Sequence, residues 1–126
     1  MKERDEKRNK PIRESRINNV NSAYPTSWDW RQHNAVTGVK NQAACGSCWA
    51  FATSATLEGA HAVSTGQLLS FSEQQWVSCV KDQAAYGYIS EPEPCCYGCN
   101  GGDNDASYSY AMKNDVNLVL ENDWKY

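Results

Sequence analysis

The segment Gln42-Ala43-Ala44-Cys45-Gly46-Ser47-Cys48-Trp49-Ala50-Phe51 carries two cysteines on a loop that runs directly into a helix-forming stretch of small residues. From Cys48 to about Val63, residues Trp49, Ala52, Ala55, Leu57, Ala60 and Val63 recur at roughly helical spacing without a proline, and Thr65-Gly66 supplies the stop. So many small residues imply a helix packed closely against other elements. The join puts Cys48 at or beside a helix N-terminus. There the first N–H groups lack intrahelical partners, and the aligned peptide dipoles favour a thiolate over a thiol. Cys48 is therefore a candidate nucleophile.

The rest of the chain supplies the frame. At 126 residues, with 40% hydrophobic and 21% charged residues, it has enough apolar surface for one domain with a core. The start is different. Residues 1–16 hold seven Lys/Arg against four acids and almost nothing apolar, whereas the whole chain carries −3. Residues 1–22 therefore read as a charged linker or the end of a pro-segment, with the folded part at 23–126. The interleaved acids argue against a nucleic-acid-binding arm. No apolar run approaches the ~18 residues of a membrane span, and the start lacks the apolar region of a signal peptide. Six cysteines nonetheless suit an oxidising compartment, which favours a missing true N-terminus.

Further elements follow in order. Residues 27–42 read as an extended segment with a turn. Ser72-Glu73-Gln74-Gln75 fits a reciprocal capping box, with Ser72 accepting from the third helical N–H, Gln75 reaching back and a short helix running through Ser78. A long loop from Val80 to Gly102 carries Cys95, Cys96 and Cys99. Asp103 to Lys113 predicts a helix with Ala106, Tyr110 and Ala111 inward and Asp103 or Asn104 as its cap. Val116 to Tyr126 reads as extended.

The string CGSCWAF with Gln42 six residues before Cys48 resembles the active-site segment of papain-like cysteine peptidases. Pro25, Asp29-Trp30-Arg31, Val39-Lys40-Asn41-Gln42, the SEQQ segment and Tyr97-Gly98-Cys99-Asn100-Gly101-Gly102 extend the resemblance over residues 24–126. Trp76 stands where the family commonly has leucine. The resemblance implies an α+β papain-like fold, of which this chain covers mainly the helical half with the nucleophile-bearing helix. The β-rich half is missing.

By that resemblance, Cys48 is the nucleophile, and Gln42 and the Cys48 N–H form the oxyanion hole. Gly46, Ser47, Trp49, Tyr97, Gly101, Gly102, Asp103 and Asn104 line the substrate edge. The backbone of Gly102 pairs with an extended peptide. Asp103 and Asn104 replace an aromatic residue and a proline common at those positions, which implies a more polar pocket for the second residue before the cut. Cys45 pairs with Cys99. Cys79, whose family partner lies beyond Tyr126, is unpaired or joined to Cys95 or Cys96. The implied partners are an extended peptide or protein substrate, the missing half of the domain, and cystatin-like or pro-segment inhibitors, with no cofactor, metal, nucleic acid or membrane. The implied location is lysosomal, vacuolar or secreted.

The family's histidine and asparagine lie about 130–150 residues beyond the cysteine, and only 78 residues follow Cys48 here. His61 stands 13 positions along the same helix, about 20 Å away at 1.5 Å per residue, and His33 lies in a polar loop. The expectation is a cysteine peptidase truncated before its base, with little or no activity as an isolated chain. Two other readings stay open. One is a non-catalytic papain-like binding or regulatory protein. The other is a zinc site built from Cys45, Cys48, Cys96 and Cys99, whose pairs are separated by 47 residues rather than the ~15–20 of common zinc ribbons.

Overall fold

A computed structural model describes residues 24–81 and 96–126. The charged segment 1–22 and Cys95 lie outside the described residues. Among the described residues three α-helices make the frame: α1, Cys48–Thr65; α2, Glu73–Cys79; and α3, Asn104–Asn114. Both α2 and α3 pack on α1. Gly66, in the left-handed conformation with φ 77°, ends α1, and its N–H donates to the Ala62 carbonyl. A short 3-10 turn at Trp30–His33, capped by the Asp29 carboxylate, interrupts the segment expected to be extended. The Asx-type bond from Arg31 N–H to Asp29, with the Arg31 guanidinium gripping the same carboxylate, curls the chain locally.

The core lies between the inward stripe of α1 and the other two helices. Trp49, Ala50, Trp76, Val80, Cys96 and Ala106 form it, with Leu57, Val77, Tyr110, Ala111 and Leu118 packed around them. Trp76 is fully buried, and its indole N–H donates to Ser54 Oγ on α1 at 3.0 Å. That bond lets a large aromatic occupy the interface without an orphaned donor.

Half of the expected capping box forms. Ser72 Oγ accepts from Gln75 N–H at 3.1 Å. Gln75 does not reach back, because its amide pairs with the tail instead, accepting from Val119 N–H and donating to the Asn117 carbonyl. Ser72 N–H is taken by Val119 O, and an antiparallel bridge joins Phe71 to Leu120. Tertiary pairing thus displaces a local cap. The tail 116–126 is extended only in this stretch, where it laces onto residues 70–72, and then turns at 121–123.

A buried charge cluster ties four segments together. Lys40 Nζ donates to Glu73 Oε1 at 2.6 Å and Glu58 Oε1 at 3.0 Å, and lies 3.3 Å from Glu121 Oε2. Glu58 is further satisfied by Thr37 Oγ1 and by the Phe71 N–H. Burial pulls the Lys40 ammonium downward, but its bonds to Glu73 and Glu58 more than offset this and hold it above the usual lysine value. Burial pushes the Glu73 carboxyl up despite Lys40, and its Oε2 is buried without a partner among the described residues. The more open Glu121 is held down, first by Ser70 Oγ at 2.6 Å and then by Lys40.

Candidate active site

Cys48 is the first residue of α1, and its thiol is exposed and free. The preceding Ser47 lies in the bridge region (φ −104°, ψ 16°), and its side chain makes no capping bond to the helix. The first N–H groups of α1 are therefore not closed off by a side-chain cap, and their dipole end is presented where the thiol sits.

The loop leading to Cys48 is held from several directions. Gln42 Nε2 donates across the loop to the Cys45 carbonyl at 2.7 Å. Ala43 adopts a left-handed φ of 51°, supported by the bond from its N–H to Asn41 Oδ1 at 2.8 Å. The Cys45–Cys99 disulfide forms, as the resemblance implied, and Gly46 N–H donates to the Cys99 carbonyl at 2.7 Å. A parallel bridge pairs Gly46 with Asn100. A Cβ on Gly46 would collide with the Cys99 carbonyl oxygen, so only glycine lets the two segments approach this closely.

The opposing segment is a tight turn, with Tyr97 N–H bonded to Gly101 O and Asn100 N–H to Tyr97 O. Gly102 lies flat on the Trp49 indole, where an added Cβ would fall 2.5 Å from the ring. Trp49 is itself buried, and its Nε1 donates to the Gly98 carbonyl at 3.1 Å. The two signature segments are thus brought together, as one rim beside Cys48.

Ser47 and Trp49 are 0% and 3% exposed, so their side chains support the rim from beneath. Gly102 and Tyr97 are exposed, and Gly46 and Cys48 face solvent with them. Asp103 caps α3, its Oδ1 accepting from Asp105 N–H at 2.8 Å, and Asn104 opens that helix.

The cysteine alternatives also resolve. Because Cys45 and Cys99 are joined to each other, the four-thiolate zinc set of Cys45, Cys48, Cys96 and Cys99 does not exist, and no metal-holding group occurs among the described residues. The Cys79–Cys96 pairing does not form: Cys79 is a free thiol, and the buried Cys96 Sγ points to the Asp103 carbonyl. Cys79–Cys95 lies outside the described residues. Of the histidines, His33 stacks on Trp28 with ring centroids 3.9 Å apart, while His61, far along α1, packs edge-on to Phe71.

Sequence reasoning missed Tyr126. Its hydroxyl lies 2.6 Å from Ser47 Oγ and donates to the Gln42 carbonyl at 3.0 Å, and its ring packs edge-on against Phe51 of α1. No local pattern points to a contact spanning 79 residues.

A family profile described as papain family cysteine protease matches residues 24–126. The chain is 47% identical over 102 residues to cysteine proteinase 1 of Zea mays, covering 81% of this chain and 26% of that protein. It is 45% identical over 105 residues to the probable cysteine protease RD19B of Arabidopsis thaliana, covering 81% and 27%. The crystal structure of the Carica candamarcensis cysteine protease CMS1MS2 in complex with E-64 superposes with a TM-score of 0.64 at 39% identity, covering 82% of this chain and 41% of that one. The chain spans about a quarter of the length of these curated relatives. With both signature segments matched and assembled into one rim, the chain belongs to the papain family of cysteine proteases.

Proposed function

We propose that this chain supplies the nucleophile-bearing half of a cysteine peptidase. The observation that carries the reading is the exposed Cys48 thiol at the start of α1, where no side chain caps the helix. Its sulfur attacks the scissile carbonyl. The developing oxyanion is met by the Cys48 N–H and the Gln42 side-chain amide, which keeps a second N–H beyond the one given to Cys45. Collapse of the tetrahedral intermediate expels the amine and leaves a Cys48 thioester, which water then hydrolyses. A base must take the Cys48 thiol proton and return it to the leaving amine, and it has to come from outside the described residues, because His61 is about 20 Å along the helix and His33 is stacked on Trp28. Residues 1–126 alone are therefore expected to hydrolyse no peptide at a measurable rate.

The substrate is an extended peptide running along Gly101 and the exposed Gly102 backbone, with Tyr97 on the same edge. Asp103, exposed and with Oδ2 not engaged in the cap, together with Asn104 gives the neighbouring pocket a polar, acidic wall. That wall suits a basic or polar side chain at the second residue before the cut. Pro-segment or cystatin-like inhibitors would occupy the same rim. The disulfide suits a lysosomal, vacuolar or secreted location.

The test is intact-mass labelling of the chain with a peptidyl epoxysuccinate, mapped by peptide sequencing and repeated with EDTA. Selective, metal-indifferent modification of Cys48 supports the reading. Absence of labelling in the folded chain contradicts it and favours a non-catalytic relative.

A further inference from the structure

Tyr126 bridges the two groups that flank the thiol on its N-terminal side, although it belongs to neither signature segment. The Tyr126 hydroxyl has one proton, and it is donated to the Gln42 carbonyl. The 2.6 Å contact with Ser47 must then be a bond donated by the serine, giving a directed chain from Ser47 Oγ–H through the Tyr126 hydroxyl to Gln42 C=O. Ser47 is fully buried and adjoins Cys48, and Gln42 carries the loop-spanning amide. The phenol thus fixes both ends of the loop 42–47 at once.

The path of the tail explains how it gets there. Val119, Glu121 and Trp124 are pinned to Ser70 and Ser72 by backbone bonds and by the Ser72 hydroxyl, which donates to the Trp124 carbonyl at 2.6 Å. Two residues later the chain delivers the Tyr126 ring onto Phe51, with centroids 4.8 Å apart. The Ser47 hydroxyl is engaged by Tyr126 and makes no capping bond, so the start of α1 is left without a side-chain cap.

We propose that Tyr126 is a positioning residue for the oxyanion donors, a role that rests on the peptidase reading above. It touches no reacting atom. It holds Gln42 and the Ser47–Cys48 peptide in register, so that the Gln42 amide and the Cys48 N–H converge on one point. Losing two such bonds should loosen the pair by about five- to tenfold in populated geometry.

The experiment compares the wild-type chain with Tyr126→Phe, which keeps the ring against Phe51, with Ser47→Ala, and with the double variant. Site-resolved Cys48 labelling by a peptidyl epoxysuccinate, which needs the aligned donors, should slow about five- to tenfold in Tyr126→Phe, less in Ser47→Ala, which keeps the bond from Tyr126 to Gln42, and no further in the double than in Tyr126→Phe. Labelling of the same thiol by iodoacetamide, which does not need them, should change less than about twofold. In parallel, nitrogen-15 relaxation should show the order parameters of the Ala43–Ser47 amides falling from about 0.85 toward about 0.6, with α2 and α3 unchanged. Wild-type labelling rates with unchanged order parameters in Tyr126→Phe would overturn the proposal, as would loosening of all three helices together. If wild type takes no inhibitor, the peptidase reading fails separately, and the order parameters alone decide whether the brace exists.

Discussion

The two sides of α1 are built from similar residues and meet opposite fates. On one side Trp49, Ala50, Thr53, Ser54, Glu58 and Ala62 are buried. On the other, Ala55, Thr56, Gly59, Ala60 and Val63 line an open groove of about 540 Å³ with Trp30, Ala35 and Val36. Val63 is 62% exposed and Val36 49%, so this is apolar surface left in water. The difference lies in what each face meets: α2 and α3 pack on the first, whereas among the described residues only the 3-10 turn and the loop after it border the second. Small residues on both faces mark a helix suited to close packing on both. The contrast fits a chain that spans 41% of the structure it superposes on.

The largest effect should come from the closed face. Trp76→Ala removes the central side chain of the α1–α2 contact and strands the Ser54 hydroxyl, and is expected to cost about 4–5 kcal/mol. Urea unfolding followed by circular dichroism measures it, and a loss below about 1.5 kcal/mol would mean that the two faces do not differ as described.

Next comes the charge cluster at the edge of that face. Lys40→Gln leaves Glu58 and Glu73 buried with no cation, at an expected cost of about 3 kcal/mol near neutral pH. The sign of its pH dependence follows from the shifts. Lys40 is raised, so its pairing is fully present below pH 10.5 and is lost only as pH rises through its still higher folded value. Glu73 is also raised, so its burial penalty is relieved as pH falls through its folded value, above 4.5. Glu121 acts oppositely, its stabilisation being lost below 4.5. The variant's deficit should therefore shrink between pH 7 and about pH 5, and a deficit that grows over that interval would refute this view of the cluster.

The smallest effect belongs to the open face. Val63→Ser should change stability by no more than about 0.5 kcal/mol. A cost above about 1.5 kcal/mol would show that the groove is filled by the chain itself.

What could be read in the sequence was local. The helix at Cys48, its glycine stop, the Ser72 cap and the Asp103 cap each depend on residues within a few positions of one another, and each is found. The Cys45–Cys99 pair and the meeting of the two signature segments came through resemblance, which carries tertiary information that spacing lacks. That the Ser47 and Trp49 side chains lie buried beneath the rim was not legible, because adjacency to a nucleophile does not reveal which way a side chain points. The Lys40 cluster draws on four segments, and Tyr126 reaches back across the fold. Gln75 shows the same limit from the other direction, since its local motif is overridden by a tail more than forty residues away.

The central claim is that the fold seals one cysteine pair and presents Cys48 beside it. Timed alkylation of the native chain with iodoacetamide, without reductant and resolved by peptide mapping, tests this most directly. Cys48 should react first and to completion, Cys79 and the buried Cys96 later, and Cys45 and Cys99 only after reduction. Modification of Cys45 or Cys99 without reductant, or of Cys96 ahead of Cys48, would contradict the account.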